Sequence, residues 1–97
     1  MLNPLAITGE LYKVFDTVQH SESFQSRTFI LKDDSNPAYP QFIQMQLTQL
    51  KCELISKLTQ GARITVSFNV RGKEYPDKET AEIKYITTLE AWRITLA

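Results

Sequence analysis

Most of the architecture is written in one stretch and its answer. The stretch is Ile64-Thr65-Val66-Ser67-Phe68-Asn69-Val70-Arg71-Gly72-Lys73-Glu74-Tyr75; the answer is Lys84-Tyr85-Ile86-Thr87-Thr88-Leu89-Glu90-Ala91-Trp92-Arg93-Ile94. Ile64, Val66, Phe68 and Val70 alternate with polar residues, the period of a strand with one buried face. Gly72 is expected to break that strand into a basic, aromatic-tipped arm, Arg71-Lys73-Tyr75, before a second strand returns. Such a hairpin, hung on a small barrel, can grip a nucleic-acid strand by stacking and charge. A plain hairpin with a solvated tip has the same pattern.

The surrounding chain narrows the choice. Its 97 residues suit one domain, expected over 1–97. Apolar residues make up 42% and charged residues 23%, the composition of a folded protein rather than a disordered one. No apolar run reaches the length of a membrane span, and the start, Met1-Leu2-Asn3-Pro4-Leu5, lacks the pattern of a secretory signal. The cytoplasm is the default compartment. One cysteine (Cys52) and one histidine (His20) exclude an internal disulfide and offer no zinc ligand set. The formal net charge is zero, which weighs against nucleic acid as a partner unless the cations cluster on one face.

Reading from the N-terminus, Ile7 to Val14 suits a first strand, with Gly9 marking a bend or bulge. Residues 19–23 are polar and read as a loop. Arg27-Thr28-Phe29-Ile30-Leu31-Lys32 reads as a second strand, and Asp33-Asp34-Ser35-Asn36-Pro37 as a turn. Phe42-Ile43-Gln44-Met45-Gln46-Leu47 is a third strand, with Ile43, Met45 and Leu47 on one face and Phe42, Gln44 and Gln46 on the other. Leu50, Leu54, Ile55 and Leu58 then recur at helical spacing. With Thr48 as N-cap and Gly61 as stop, residues 49 to about 60 are expected to form an amphipathic helix. The fourth and fifth strands follow, the last over 83 to about 96. The order β-β-β-α-β-β is that of an all-β, five-stranded Greek-key barrel, the OB-fold, with one helix between strands three and four. Leu50, Leu54 and Leu58 would plug the barrel's bottom.

At these residues the chain resembles the bacterial-type single-stranded-DNA-binding proteins. Ile7-Thr8-Gly9-Glu10-Leu11 resembles their first strand, Leu58-Thr59-Gln60-Gly61-Ala62-Arg63-Ile64 their helix exit, and Val70-Arg71-Gly72-Lys73-Glu74-Tyr75 their arm. It is more similar still to a group of short, uncharacterised bacterial OB-fold proteins that share the Val-Ser-Phe…Arg-Gly…Glu-Tyr and Ala-Trp-basic-Ile patterns. The replicative proteins place a second aromatic at the end of strand three, where this chain has Thr48, and carry an acidic partner-binding tail, whereas this sequence stops at Ala97.

The resemblance implies a surface across strands two and three and along the arm. Phe42 falls where the family places a stacking aromatic; packing under a loop or in a subunit interface is the other reading. Arg71 and Lys73 would bind phosphates and Tyr75 a base, although Glu74, Asp77 and Glu79 dilute the positive field. Lys32, Arg27 and Lys84 would extend the cationic track or serve only as solubilising residues, Gln44 and Gln46 would hydrogen-bond bases or phosphates or line a polar interface, and Tyr39 and Phe24 lie in adjoining loops within reach of a ligand. Trp92 alternates with Ile86 and Ile94 and reads as core or interface. His20 reads as a loop residue and Cys52 as a small buried one. No nucleophile–base grouping, phosphate loop or metal spacing occurs, so neither catalysis nor a cofactor is expected. The expected function is sequence-tolerant binding of single-stranded DNA, or RNA, in replication, recombination or repair. A dimer or tetramer would add avidity, assembled through an unpaired first-strand edge and the aromatic surface. A non-catalytic protein-interaction subunit is the alternative.

Overall fold

The computed structural model describes residues 5–97. Six strands run in chain order: β1 (Leu5–Val14), β2 (Val18–Ser21), β3 (Phe24–Asp33), β4 (Gln41–Thr48), β5 (Arg63–Pro76) and β6 (Ile83–Leu96). A 3₁₀ helix over Gln49–Ile55 joins β4 to β5. The strands order as β1-β5-β6-β4-β3-β2, and a further β1–β3 pairing closes five of them into a barrel. This is the OB-fold. The first of the five expected strands is β1; the second to fifth are β3, β4, β5 and β6. The polar stretch expected as a loop holds an extra strand, β2, hairpinned onto β3.

β1 divides its length between two partners. Residues 5–10 pair with β5 and the end of the strand pairs with β3. Among the described residues its β3-facing edge has no partner strand over residues 5–9. At the crossing Gly9 lies against the backbone of β3. A Cβ there would overlap the Lys32 carbonyl oxygen and come within 3.1 Å of the carbonyl carbon. Gly9 therefore permits the close approach that shuts the barrel.

Leu11, Phe29, Leu31, Met45, Leu47, Ile64, Val66 and Ala91 fill the interior, and Cys52 and Ile55 cover one end. Here the expected α-helix is corrected. The buried residues are not Leu50 and Leu54, which are 86% and 41% exposed, but Cys52 and Ile55, with Leu58 packed against them. Those positions repeat every three residues, the period of a 3₁₀ turn rather than an α-helix. The backbone bonds agree: Ser56 N–H donates to the Glu53 carbonyl (3.0 Å) and Leu58 N–H to that of Ile55 (3.2 Å). Thr48 precedes the helix in extended conformation without a side-chain cap bond. Gly61 is not the stop either: the helix ends at Ile55 with Ser56 in right-handed conformation, and Gly61, at φ 97°, sits in the turn that leads into β5. Burial pushes the Cys52 thiol pKa up, and its Sγ donates weakly to the Leu47 carbonyl (3.5 Å).

The β5–β6 hairpin carries two further corrections. The strand does not break at Gly72, which pairs with Thr87 inside a ladder that continues to Pro76↔Ile83. Facing Thr88, Thr87, Ile86 and Tyr85, all strand-formers, the ladder tolerates a glycine. The turn comes later, over residues 77–82. There Asp77 accepts the backbone N–H of Glu79 (2.8 Å) and Thr80 (3.2 Å) and bonds Lys84 at 2.7 Å. These bonds, Lys84 first, hold the Asp77 carboxyl below its usual pKa. Val70, expected in the core, is 54% exposed because the hairpin has by then run past the barrel. Register shifts at Ser67/Phe68, where Trp92 is the extra residue between Ala91 and Arg93. This bulge removes Trp92 from the inward phase and leaves Leu89, Ala91 and Ile94 against the core.

Candidate nucleic-acid interface

The outward residues of β3 and β4 meet pairwise: Lys32 with Phe42, Ile30 with Gln44, Thr28 with Gln46. β4 touches β6 through a single parallel pairing, Gln46 with Glu90. On either side of that bridge the strands diverge and leave two adjoining hollows. One, of about 640 Å³, is lined by Phe42, Gln44, Gln46, Ile86 and Thr88 among others. The other, of about 460 Å³, lies between His20 and Phe24 of the β2–β3 hairpin and Arg71 and Lys73 of the β5–β6 arm, with Gln46, Ile86 and Thr88 shared. Together they form a concave surface floored by amides and hydroxyls and walled by aromatic and basic side chains.

Phe42 is 55% exposed and points away from the core, as its alternation required. It meets Tyr12 edge-on, with ring centroids 4.9 Å apart at 63°. The Lys32 ammonium lies 6.0 Å from the Tyr12 ring centroid, at the outer reach of a cation–π contact. Tyr12 was not foreseen in this role. It sits at the register shift of β1 between Leu11 and Lys13, which turns it toward β3 and β4. Gly9 signalled irregularity in this strand, but nothing local to Tyr12 did. Phe24, expected in a loop beside the surface, opens β3, and its ring stacks at 5.2 Å and 28° on that of His20, which was expected only as a loop residue.

The expected basic residues divide. Lys73 enters no ion pair among the described residues, and Arg71 has Glu90 at 3.6 Å. Arg71, Lys73 and Tyr75 share one face of the hairpin, opposite Thr88, Ile86 and Lys84 in register. Tyr75 and Lys84 lie toward its tip, outside both hollows. Lys84 is held by Asp77, as above. Tyr39 is exposed in the loop between β3 and β4 and lines neither hollow. Arg27 is on the inward phase of β3, opposite Leu47. Its guanidinium donates to the carbonyls of Phe15 (2.8 Å) and Cys52 (3.4 Å) and to Ser56 Oγ (2.9 Å). It ties the 3₁₀ segment to the barrel end, away from the concave face. Phe42, Gln44, Gln46, Arg71 and Lys73 thus line the hollows, with Lys32 outside them beside Phe42 on the ladder, and Arg27, Lys84, Tyr39 and Tyr75 lie away from them.

Among the described residues no three or more His, Cys, Asp and Glu side chains gather as a metal site would require, and no helix is long and apolar enough to cross a membrane.

A family model described as "Domain of unknown function (DUF3127)" matches residues 6–95. No curated protein matches the chain. Among solved structures it is similar to the mitochondrial single-stranded DNA binding protein Rim1 of S. cerevisiae. The TM-score is 0.68 at 9% identity, over 97% of this chain and 93% of that one. It is also similar to the N-terminal domain of the PriB protein from Thermoanaerobacter tencongensis, described as dimeric. Here the TM-score is 0.64 at 14% identity, over 98% and 96%. At these identities the likeness is one of fold.

Proposed function

This chain belongs to the DUF3127 family, and we propose that it binds single-stranded DNA or RNA without strong sequence preference and without catalysis. The observation that carries this reading is the concave β3–β4–β6 surface of an OB barrel. It presents an outward Phe42 backed by Tyr12, glutamine amides on the floor, and Arg71 and Lys73 facing across. An unpaired base offers a π-face to the aromatics while its phosphates reach the cations. A duplex hides its base faces, so the surface selects unpaired strands. The structural likeness to Rim1, a single-stranded DNA binding protein, supports the reading. Roles in replication, recombination or repair follow from it, and a homo-oligomer, dimer or tetramer, would add avidity. The dimeric description of the PriB domain and the open edge of β1 support assembly.

Zero net charge favours a second reading, a protein-interaction subunit with no nucleic-acid ligand. Anisotropy titration of labelled oligo-dT at low salt, with duplex DNA as competitor, separates the two. Saturable binding that duplex does not displace is expected; no binding at low salt would leave only the second reading.

A further inference from the structure

We infer that His20 and Phe24 form a second base-stacking platform, at the opposite end of the surface from Phe42. The inference rests on the single-strand reading above and adds residues to it. The two rings stack nearly parallel, 5.2 Å apart, at the rim of the 460 Å³ hollow, with Arg71 and Lys73 on the facing wall. Each ring spends one face on the other, and both residues remain exposed. The pair leaves π-surface open beside cations, the combination that holds an unpaired base and its phosphate.

The platform is also fixed in place. His20 Nε2 and Ser26 Oγ are hydrogen-bonded at 2.6 Å, and Ser26 is buried, 5% exposed. The Gln19 amide donates to the carbonyls of Ser21 (2.5 Å) and Phe24 (3.3 Å). From the other side Gln49 Nε2 donates to the Ser23 carbonyl (2.8 Å), and Gln25 Nε2 donates to the Gln49 carbonyl (2.8 Å). Gln49 makes these bonds at φ 54°, in the left-handed region that a glutamine seldom adopts. Strain of this kind persists where surrounding bonds over-determine the backbone, and it gathers at ligand clamps. Here three glutamine amides hold the turn that carries Phe24. A platform held before its ligand arrives loses less ordering entropy on binding.

The strand then runs from the Tyr12–Phe42 end, over the amide floor, to the His20–Phe24 end. The test uses the full chain and an oligo-dT of about eight nucleotides, within the span of one OB-fold, with and without 5-iodouracil at each position. Phe24→Leu keeps an apolar side chain and removes the π-face; Phe24→Trp restores one. Phe24→Leu and His20→Ala are each expected to weaken binding about tenfold, and Phe24→Trp to retain it. The wild type is expected to give a photo-crosslink within residues 18–26 that Phe24→Leu loses. Three outcomes overturn the platform while wild-type binding stands: affinities within about twofold of wild type for both weakening variants, retained affinity in Phe24→Leu with loss in Phe24→Trp, or weakened binding without a crosslink to the hairpin. A wild type that binds no oligo-dT overturns the single-strand reading itself.

Discussion

Phe42 combines two properties that seldom coincide: it is exposed, and it is held. Tyr12 meets its ring at 4.9 Å from β1, and Lys32 faces it across the β3–β4 ladder. Edge-to-face pairs of this kind contribute about 0.5–1.5 kcal/mol beyond area burial. Phe42→Ala should therefore cost about 1–3 kcal/mol of single-strand affinity, the scale of one lost base stack. Tyr12→Ala should cost part of the same energy, because it frees the ring that Phe42 must hold still. A double-mutant cycle on oligo-dT affinity checks this. Losses that add to within about 0.3–0.5 kcal/mol would mean that the two rings act independently. Of this cluster, Phe42 was legible from the period of its strand alone. Tyr12 was not, since an extra residue in a strand leaves the local alternation looking intact while turning a side chain to another face.

The same limit operates at the scale of elements. The connection between β4 and β5 contains Leu50, Leu54, Ile55 and Leu58, which fit an α-helical stripe. The chain instead buries Cys52, Ile55 and Leu58 and turns Leu50 outward. Both phases use leucines, so hydrophobicity does not separate them. What separates them is Arg27 on β3, which reaches the Cys52 carbonyl and Ser56 hydroxyl and holds the tight turns. That is a contact across 25 residues and invisible to any local window. Urea unfolding distinguishes the phases. Ile55→Ala should lower stability by about 2–5 kcal/mol, as for a large-to-small change in a core. Leu50→Ala should stay within about 0.5 kcal/mol. Ile55 lies in both phases, so Leu50 decides: a loss of about 2–5 kcal/mol there would restore the α-helical phase. By contrast, the strand positions of Ile43, Met45, Leu47, Ile64 and Val66 were readable in advance, because period two holds wherever no bulge intervenes. It failed at Tyr12 and Trp92, each at a register shift, and at Val70, beyond the barrel's end.

For the whole molecule the governing fact is the balance of 11 basic and 11 acidic residues. Three of the 11 basic residues are committed within the fold. Arg63 pairs with Asp34 at 3.2 Å, Lys84 with Asp77, and Arg27 is bound to carbonyls. Lys32, Lys73 and Arg71 remain for phosphates on the concave face, and Arg71 is shared with Glu90 at 3.6 Å. A protein that neutralises about three phosphates of a single strand should show a log–log salt slope near −2, since each contributes about −0.7. Affinity would then fall only about twentyfold between 50 and 200 mM salt. Stacking, which is insensitive to salt, carries the remainder. Glu90 is the lever on this balance: Glu90→Gln keeps the side chain's size and frees Arg71. The variant should bind oligo-dT more tightly at low salt, with a slope steeper by part of the ~0.7 that one phosphate contributes, because Arg71 already stands among the three, and with little gain above the salt at which phosphate contacts are screened. A wild-type slope steeper than about −4 would require phosphate contacts that this face does not supply. An unchanged slope in Glu90→Gln would remove Arg71 from the phosphate track and leave Lys73 and Lys32 to carry it.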